Sequence, residues 1–251
     1  MFVILKRKTL VIISTLILAF SLSFLLKTKD NIKTASISNK PLPIYSVKRD
    51  DKKIALTFNC AWDGDDIDDY IELFNDNNIN CTFFILGEWG KNNREQIINL
   101  YDNGNEIASH GFSHKSYDTL TKEQVAKDIE KSKELLKDIT GESLKLIRFP
   151  SGAYDSASLD VAKEMGLKVI QWNLDSRDWQ NKSSDEIVSF VKNNISGGSI
   201  LLFHTAKENS LKAVKELIPW LKDEGFELCK VSEIIYNDNY KIDHTGCQIK
   251  N

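Results

Sequence analysis

Apolar and charged positions alternate in blocks along the chain after about residue 50. Each short apolar run is followed by a charged stretch, and several of these stretches carry apolar residues at i, i+3 and i+4 spacing, which is typical of helices. The apolar runs predict seven strands, at 54–59, 79–86, 105–109, 144–149, 168–174, 199–204 and 226–231. The charged stretches predict helices that include 65–77, 121–140 and 209–225.

The order of these elements predicts the fold class. Strands that alternate with helices argue for a parallel sheet, open or closed. No G-x-G-x-x-G follows the first strand, which disfavours a dinucleotide-binding sheet. We therefore predict an α/β fold, a distorted (β/α) barrel of about seven parallel strands. Thr121 and Gly141 are suitable caps for the two ends of the helix at 121–140.

The N-terminal pattern is different. Lys6, Arg7 and Lys8 precede an uncharged run over 9–26, about 18 residues long, which is near the lower limit for a membrane-spanning helix. No small-residue cleavage site follows closely, and the positive cluster favours a cytoplasmic N-terminus. Residues 1–29 are therefore predicted to be a cytoplasmic stub and a transmembrane signal-anchor, with the rest of the chain outside the cell membrane. Cleavage further along, giving a secreted protein, is the alternative.

The remaining boundaries follow from composition. Residues 30–50 are rich in Ser, Thr, Asn and Lys, contain Pro41 and Pro43, and read as a linker. Residues 51–236 form the predicted globular domain, and the tail at 237–251 has no pattern that predicts structure. The net charge of -3, without a basic stripe, argues against a nucleic-acid partner.

The four cysteines leave one pairing open. Cys60 and Cys81 are expected toward opposite ends of neighbouring parallel strands, so they are not expected to pair. Cys229 and Cys247 could form a bridge outside the cell, which the sequence cannot decide.

Titratable and aromatic residues follow most of the predicted strands. In a parallel α/β fold the carboxyl ends of the strands gather on one face, where ligands bind. His110 and His114 can supply two imidazole ligands for a divalent metal, and an open position can hold water. His204 can supply a separate acid that Asp178 orients. These residue types suit metal-assisted hydrolysis.

Four motifs in this order resemble those of the polysaccharide deacetylases with a NodB-homology domain, carbohydrate esterase family 4. The resemblance covers about 52–231. The motifs are His110-Gly111-Phe112-Ser113-His114 for H-[ST]-x-x-H, Arg148-Phe149-Pro150-Ser151-Gly152-Ala153-Tyr154 for R-x-P-x-G-x-Y, Asp175-Ser176-Arg177-Asp178-Trp179 for D-x-x-D-W, and Leu202-Phe203-His204 for L-x-H. Gly111 replaces the usual Ser or Thr of the first.

The resemblance implies metal-dependent removal of acetyl groups from N-acetylated sugars of a polymer, with zinc, or cobalt or another divalent ion, as cofactor. It implies these roles: metal ligands His110 and His114, general acid His204 tuned by Asp178, a base oriented by Arg148, and a sugar groove lined by Trp179 and Tyr154. Ordinary packing is the alternative role for the two aromatic residues.

The first motif departs from the family. The family has T-F-D-D-G, in which the first Asp is the base and the second a metal ligand, whereas this chain has Thr57-Phe58-Asn59-Cys60-Ala61. Asn59 cannot take a proton, although a Cys60 thiolate could bind zinc. Three outcomes stay open. Asp63, or Asp65 or Asp66 in its place, supplies the lost carboxylate; Cys60 completes the site; or the site turns over poorly. We take Asp63 as the third ligand.

Two functional hypotheses follow. The first is a membrane-anchored deacetylase whose substrate, given its place outside the membrane, is peptidoglycan; chitin oligomers, acetylated xylan and another exported glycan remain open. The second is a catalytically impaired homologue that binds glycan or has a structural role in the wall. A different amide hydrolase with the same fold, acting on a small molecule, is a third hypothesis. Trp62 in the first-motif loop also resembles sporulation-type members of the family.

Overall fold

The computed structural model describes residues 41–62 and 66–251. Its strands are β1 (Ser46–Val47), β2 (Lys53–Cys60), β3 (Thr82–Ile85), β4 (Glu106–Ser109), β5 (Leu146–Ile147), β6 (Lys168–Val169), β7 (Leu174–Asp175), β8 (Ile200–His204), β9 (Glu227–Cys229), β10 (Tyr240–Ile242) and β11 (Cys247–Lys250). Its α-helices are α1 (Ile67–Asp76), α2 (Gly87–Asn92), α3 (Arg94–Asp102), α4 (Lys122–Thr140), α5 (Ser156–Glu164), α6 (Ser184–Asn194), α7 (Glu208–Asp223) and α8 (Val231–Ile234). Short 3₁₀ turns cover Tyr117–Thr119, Pro150–Gly152 and Asp178–Gln180.

The main sheet is parallel throughout. Its strand order is β6-β5-β4-β3-β2-β8-β7, and β9 pairs with the start of β2. All seven predicted strands are confirmed, except that the one predicted at 168–174 is divided into β6 and β7. The result is a parallel-strand half-barrel, consistent with the predicted distorted (β/α) barrel.

Strand β2 shows how alternation places side chains on the two faces of the sheet. Ile54, Leu56, Phe58 and Cys60 belong to the main hydrophobic core, where helices cover the sheet. Asn59, between Phe58 and Cys60, points to the other face. Burying each large apolar side chain contributes about 1.5–3 kcal/mol. The direction of Cys60 is therefore set by the same alternation that forms the core.

Helix α4 begins and ends where the sequence predicts. Thr121 accepts a hydrogen bond from the Gln124 backbone, the Gln124 side chain accepts one from the Thr121 backbone, and Gly141 ends the helix with a φ of 76°. This capping box satisfies amide groups that the first turn leaves without helical partners.

Residues 41–49 pack against the end of β6 and the start of β8, although the sequence places them in the linker. The Ile44 N–H donates to the Val169 carbonyl at 2.9 Å, and the Val47 N–H donates to the Gly198 carbonyl at 2.9 Å. Ile44 and Val47 are each only 2% exposed. The aliphatic residues of this segment, Leu42, Ile44 and Val47, lie among prolines and polar residues and give no clear strand pattern, so the pattern missed this segment. The rest of the predicted linker, 30–40, and the predicted anchor lie outside the described residues.

A glycine makes this packing possible. Gly198 has a φ of 80°, and a Cβ at this position would lie 1.7 Å from the Val47 carbonyl oxygen. No other residue fits there without moving the segment that contains Val47.

The C-terminal tail forms structure that its sequence did not predict. Strands β10 and β11 make an antiparallel hairpin, and β11 pairs in parallel with β1. All four cysteines are free thiols, including Cys229 and Cys247. Within 41–62 and 66–251, no helix has the length and apolar character needed to cross a membrane.

Candidate active site

A pocket of about 510 Å³ opens at the carboxyl ends of the parallel strands. Its lining residues are Asn59, Trp62, His110, His114, Ser151, Trp172, Asp175, Trp179, Leu202, His204 and Lys207. A cavity of similar size, about 550 Å³, lies around Asn105 and Glu106 at the amino end of β4 and has no histidine in its lining. The three histidines that the sequence predicts to be functional, His110, His114 and His204, therefore all line the pocket at the carboxyl ends of the strands.

The His110 and His114 rings lie nearly perpendicular to each other in this pocket, with ring centroids 5.2 Å apart. The His110 Nδ1 lies 2.9 Å from the Arg148 carbonyl oxygen. Because a carbonyl only accepts, Nδ1 carries the proton and Nε2 keeps a lone pair. Burial lowers the pKa of His110 to about 3 and lowers the pKa of His114. Both imidazoles are thus neutral near pH 7, which is the form that binds metals.

The backbone at the pocket adopts unusual conformations. His114, Ser151 and Ala206 have φ values of 50°, 55° and 60°, which non-glycine residues rarely adopt. Such conformations cost about 1–3 kcal/mol each and persist where surrounding contacts fix them. Two of these residues line the pocket, and Ala206 lies between the lining residues His204 and Lys207.

Asp178 fixes His204 at the end of β8. Its Oδ1 lies 2.7 Å from the His204 Nδ1, and its Oδ2 accepts from the His204 backbone N–H at 2.7 Å and from the Ser210 hydroxyl. Burial alone would raise the pKa of Asp178, but the hydrogen bonds and charge of His204, with the Ser210 bond, hold it below its ordinary value. An ionised Asp178 accepts a hydrogen bond from the Nδ1–H of His204. The His204 Nε2 therefore remains available to a ligand.

Arg148 is fully buried beneath the pocket and contacts Asn59. Its Nη1 donates to the Asn59 Oδ1 at 3.0 Å, and its Nη2 donates to the Thr57 hydroxyl at 2.9 Å and to the Gln171 carbonyl at 3.2 Å. The guanidinium lies 4.0 Å from the ring centroid of Phe84. Burial lowers the pKa of Arg148 to about 9.

None of the described residues predicted as a possible third metal ligand lines the pocket. Cys60 is 0% exposed in the hydrophobic core, and burial raises the pKa of its thiol. It lies on the face of β2 opposite Asn59, and a protonated thiol is a poor ligand. Asp63 and Asp65 lie outside the described residues. Asp66 accepts from the Ala206 N–H at 2.7 Å.

The donor set fits a divalent metal in part. No group of three His, Cys, Asp or Glu side chains placed to hold a metal occurs within 41–62 and 66–251. His110 and His114 nevertheless have the neutral imidazoles, the fixed tautomer of His110 and the proximity that two ligands of a zinc-type site need. Any protein ligand beyond these two would come from 63–65 or from a rearranged neighbour.

Two exposed tryptophans, Trp62 and Trp179, line the pocket that contains the three histidines. The ring centroid of Trp62, a residue 45% exposed, lies 5.5 Å from that of His204 and 6.3 Å from that of His114. The Lys207 ammonium lies 5.3 Å from the Trp62 ring centroid. Trp179 is 51% exposed and lines the pocket. These rings offer apolar surface beside polar groups, as sugar-binding sites require.

The structure separates Tyr154 from the pocket lining. Its hydroxyl accepts from the Tyr45 hydroxyl at 3.2 Å, and its ring packs against the core cluster that contains Phe149. Three lining residues were not singled out from the sequence: Ser151, Trp172 and Lys207. Ser151 and Lys207 each follow a predicted strand within a few residues, so extending the strand-end rule into the next loop would have found them. Trp172 lies inside the strand predicted at 168–174, between the observed β6 and β7, so that rule does not find it.

Residues 46–170 match the model of the family described as polysaccharide deacetylase. That range includes His110, His114 and Arg148 but ends before Asp178 and His204. Three Bacillus proteins are similar to the chain. Protein YlxY of Bacillus subtilis, described as uncharacterized, is 27% identical over 79% of this chain and 62% of its own length. The peptidoglycan-N-acetylmuramic acid deacetylase PdaC of Bacillus subtilis is 26% identical over 83% and 44%. A peptidoglycan-N-acetylglucosamine deacetylase of Bacillus cereus is 29% identical over 69% and 64%. The chain thus spans less than two thirds of each relative.

Solved structures give the same fold. The wild-type protein BA3943 of Bacillus anthracis, described as a CE4 family pseudoenzyme, has a TM-score of 0.75 and 25% identity, covering 77% of this chain and 69% of its own. A BA3943 mutant described as having restored enzymatic activity also has a TM-score of 0.75, at 25% identity over 77% and 71% of the two chains. The peptidoglycan N-acetylglucosamine deacetylase Bc1960 has a TM-score of 0.74 and 26% identity, over 76% and 91%. The relatives therefore include both deacetylases and a pseudoenzyme.

Proposed function

We propose that this chain, whose residues 46–170 match the polysaccharide deacetylase family model, binds an N-acetylated cell-wall polysaccharide in the pocket and removes its acetyl groups only slowly. Asn59 carries this proposal. It occupies the position that the first motif assigns to the catalytic base, and its Oδ1 accepts a hydrogen bond from Arg148 at 3.0 Å. A carboxamide cannot take a proton from water near pH 7. The pair therefore keeps the predicted orienting contact and lacks the base.

The other polar groups of the pocket are suited to hold a ligand. His204, held by Asp178 through Nδ1, would accept a hydrogen bond from a sugar hydroxyl at Nε2 when neutral. When protonated, it would donate from Nε2, and it is then the group suited to protonate a leaving amine. Trp179 and Trp62 would pack against sugar rings. Tyr154 would affect this groove only through the backbone of its loop, because its side chain packs elsewhere.

His110 and His114 would hold a divalent metal, with zinc as first choice and cobalt as the alternative, and Asp63 remains the predicted third ligand. When bound, the metal would polarise an acetyl carbonyl and lower the pKa of a water molecule. The neutral state and tautomer of His110 support this assignment.

The active deacetylase is the second candidate function. It is favoured by the paired imidazoles, 5.2 Å apart, and by the hydrogen-bonded Asp178 and His204. Catalysis would then need a base from elsewhere, because Asn59 cannot serve and Asp63 is the predicted third metal ligand. The two candidate functions involve the same glycan and differ in the rate at which its acetyl groups are removed.

The place and substrate of the chain are proposed together. The names of PdaC and of the Bacillus cereus relative support peptidoglycan as the glycan. Residues 1–29 would anchor the chain in the cell membrane, residues 30–40 would connect the anchor to the domain, and the domain would face the wall. A secreted form would result if the N-terminal segment is cleaved. Sporulation remains a proposed setting that rests on Trp62.

The test uses the full-length chain and purified peptidoglycan, with chitin oligomers for comparison. Cosedimentation measures binding, and acetate release is followed with added zinc or cobalt, before and after a chelator. We expect saturable binding with release near the background of a His114→Ala variant. Metal-dependent release that His114→Ala abolishes would support the active deacetylase instead. The absence of both binding and release would contradict both candidates.

A further inference from the structure

Helix α4 carries a carboxylate on its buried face, beside the loop that joins His110 and His114. The buried residues of α4 follow helical spacing: Val125, Asp128, Ile129, Ser132 and Leu136. Asp128 is only 8% exposed. A carboxylate in such a position is unfavourable unless hydrogen-bond donors surround it. None of the four sequence motifs includes this residue.

Three donors from one short segment converge on Asp128. Its Oδ2 accepts from the Phe112 backbone N–H at 2.7 Å and from the Tyr117 hydroxyl at 2.8 Å. Its Oδ1 accepts from the Ser113 hydroxyl at 2.5 Å. Phe112 and Ser113 are two of the three residues between His110 and His114. The carboxylate therefore fixes the middle of the segment that carries both imidazoles.

This segment has a conformation that needs such support. Gly111 and His114 have φ values of 74° and 50°, and the left-handed conformation is unfavourable for a histidine. A Cβ at Gly111 would lie 2.7 Å from the Tyr117 hydroxyl oxygen and 3.1 Å from the Asp128 Oδ2. Close packing on the groups around Asp128 thus explains why glycine stands at 111.

A second buried contact from α4 acts on the same segment. The Ser132 hydroxyl lies 2.7 Å from the Ser109 hydroxyl, which accepts from the Gly111 N–H at 3.0 Å. Ser132 is one helical turn after Asp128, so both residues project from the same side of α4. The helix therefore contacts the segment on both sides of His110.

We propose that Asp128 is a positioning residue that sets the separation and orientation of the His110 and His114 imidazoles from helix α4. The metal affinity of the site then depends on a side chain that does not itself bind the metal. This inference rests on the proposed metal ligation by the two histidines. In the metal-free protein, the hydrogen bond from His110 Nδ1 to the Arg148 carbonyl persists because Asp128 holds the segment that carries His110.

The test compares Asp128→Ala and Asp128→Asn with Asp138→Ala as a matched control. Asp138 is on the same helix but is exposed, and its partner is Arg94 at 2.7 Å. Cobalt binding to the full-length chain is measured by absorbance titration. In the metal-free chain, nitrogen-15 NMR records the His110 Nδ1–H proton and its exchange with water. We expect Asp128→Ala to weaken cobalt binding on the order of 10-fold or more and to accelerate exchange of that proton. Asp128→Asn, which keeps one acceptor oxygen, should give intermediate values, and Asp138→Ala should match the wild type.

The outcomes separate this inference from the proposed function. A folded Asp128→Ala variant with wild-type proton exchange and wild-type cobalt affinity would overturn the inference. Should the wild type bind no cobalt, the proposed metal ligation fails, and proton exchange alone decides the role of Asp128. Should Asp128→Ala fail to fold, Ser113→Ala and Tyr117→Phe each remove one donor. Unchanged proton exchange in both would overturn the proposal, and faster exchange in either would support it.

Discussion

Arg148 and Asn59 form a buried hydrogen bond at the base of the pocket, with 3.0 Å between Nη1 and Oδ1. No carboxylate of the described residues lies within ion-pair distance of this guanidinium. Its other partners are a hydroxyl and backbone carbonyls, and its pKa falls to about 9 through burial. A neutral amide therefore stands beside Arg148, the cation that the family resemblance predicts to orient a catalytic base.

The position of Cys60 gives the first prediction. Because its thiol belongs to the hydrophobic core and burial raises its pKa, Cys60→Ser should leave the cobalt affinity of the full-length chain unchanged. His114→Ala should reduce that affinity on the order of 10-fold or more, since it removes a ligand. Absorbance titration measures both. A large loss of affinity in a folded Cys60→Ser variant would show instead that the thiol reaches the metal.

Asp178 gives a prediction about pH. Its hydrogen bonds hold its pKa below the ordinary value in the folded protein, so its contribution to stability is fully present above about pH 4. This contribution is lost as the pH falls through the folded-state pKa. Asp178→Asn should lower the free energy of unfolding at pH 7 by about 1.5–3 kcal/mol and should flatten its decline as the pH falls below about 4. Urea unfolding at a series of pH values measures this, and an equally steep decline in the variant would argue against it.

Trp179 and Tyr154 are expected to differ in glycan binding. Trp179 is 51% exposed in the pocket lining, whereas Tyr154 packs against the core and bonds to Tyr45. Trp179→Ala should weaken cosedimentation with peptidoglycan by about 10-fold, equivalent to about 1.4 kcal/mol. Tyr154→Phe, which removes only the hydroxyl, should bind as the wild type does. Equal losses in the two variants would place Tyr154 in the glycan groove.

Gly198 and Gly225 allow the packing of 41–49 to be tested. Both have positive φ values, 80° and 78°, but a Cβ at Gly198 would lie 1.7 Å from the Val47 carbonyl oxygen, while no heavy atom lies within 4 Å of one at Gly225. Gly225→Ala should cost about 1 kcal/mol from conformation alone. Gly198→Ala should cost about 3 kcal/mol or more, because it also displaces the segment. Urea unfolding compares them, and similar losses would mean that 41–49 does not pack there.

The sequence predicted the strands and the capped helix because periodicity and capping are local. The strand runs and the Thr121 and Gly141 caps needed no tertiary information. Residues two apart in a strand share a face. The period-two pattern of β2 therefore also predicts that Cys60 lies on the same face as its core residues, which are Ile54, Leu56 and Phe58. Applied to Asn59 and Cys60, this rule would have placed only Asn59 toward the pocket.

Other features depend on contacts between distant segments. The segment at 41–49 is held by backbone hydrogen bonds to Val169 and Gly198, which its composition does not reveal. The hairpin of β10 and β11 is likewise completed by pairing with β1. Asp128 resembles an ordinary helical carboxylate until the structure shows donors from Phe112, Ser113 and Tyr117 around it.

Acetate release by an Asn59→Asp variant tests whether the missing base at position 59 limits turnover. The variant would place a carboxylate where the orienting contact from Arg148 already exists. Release from peptidoglycan is compared with the wild type and with Asn59→Ala at saturating zinc or cobalt, with bound metal measured in each protein. We expect acetate release by Asn59→Asp to exceed that of both other proteins by about 10²-fold or more, with glycan binding unchanged. Two results would contradict this expectation. One is wild-type release that already equals that of Asn59→Asp. The other is release by metal-bound Asn59→Asp that is no higher than release by Asn59→Ala.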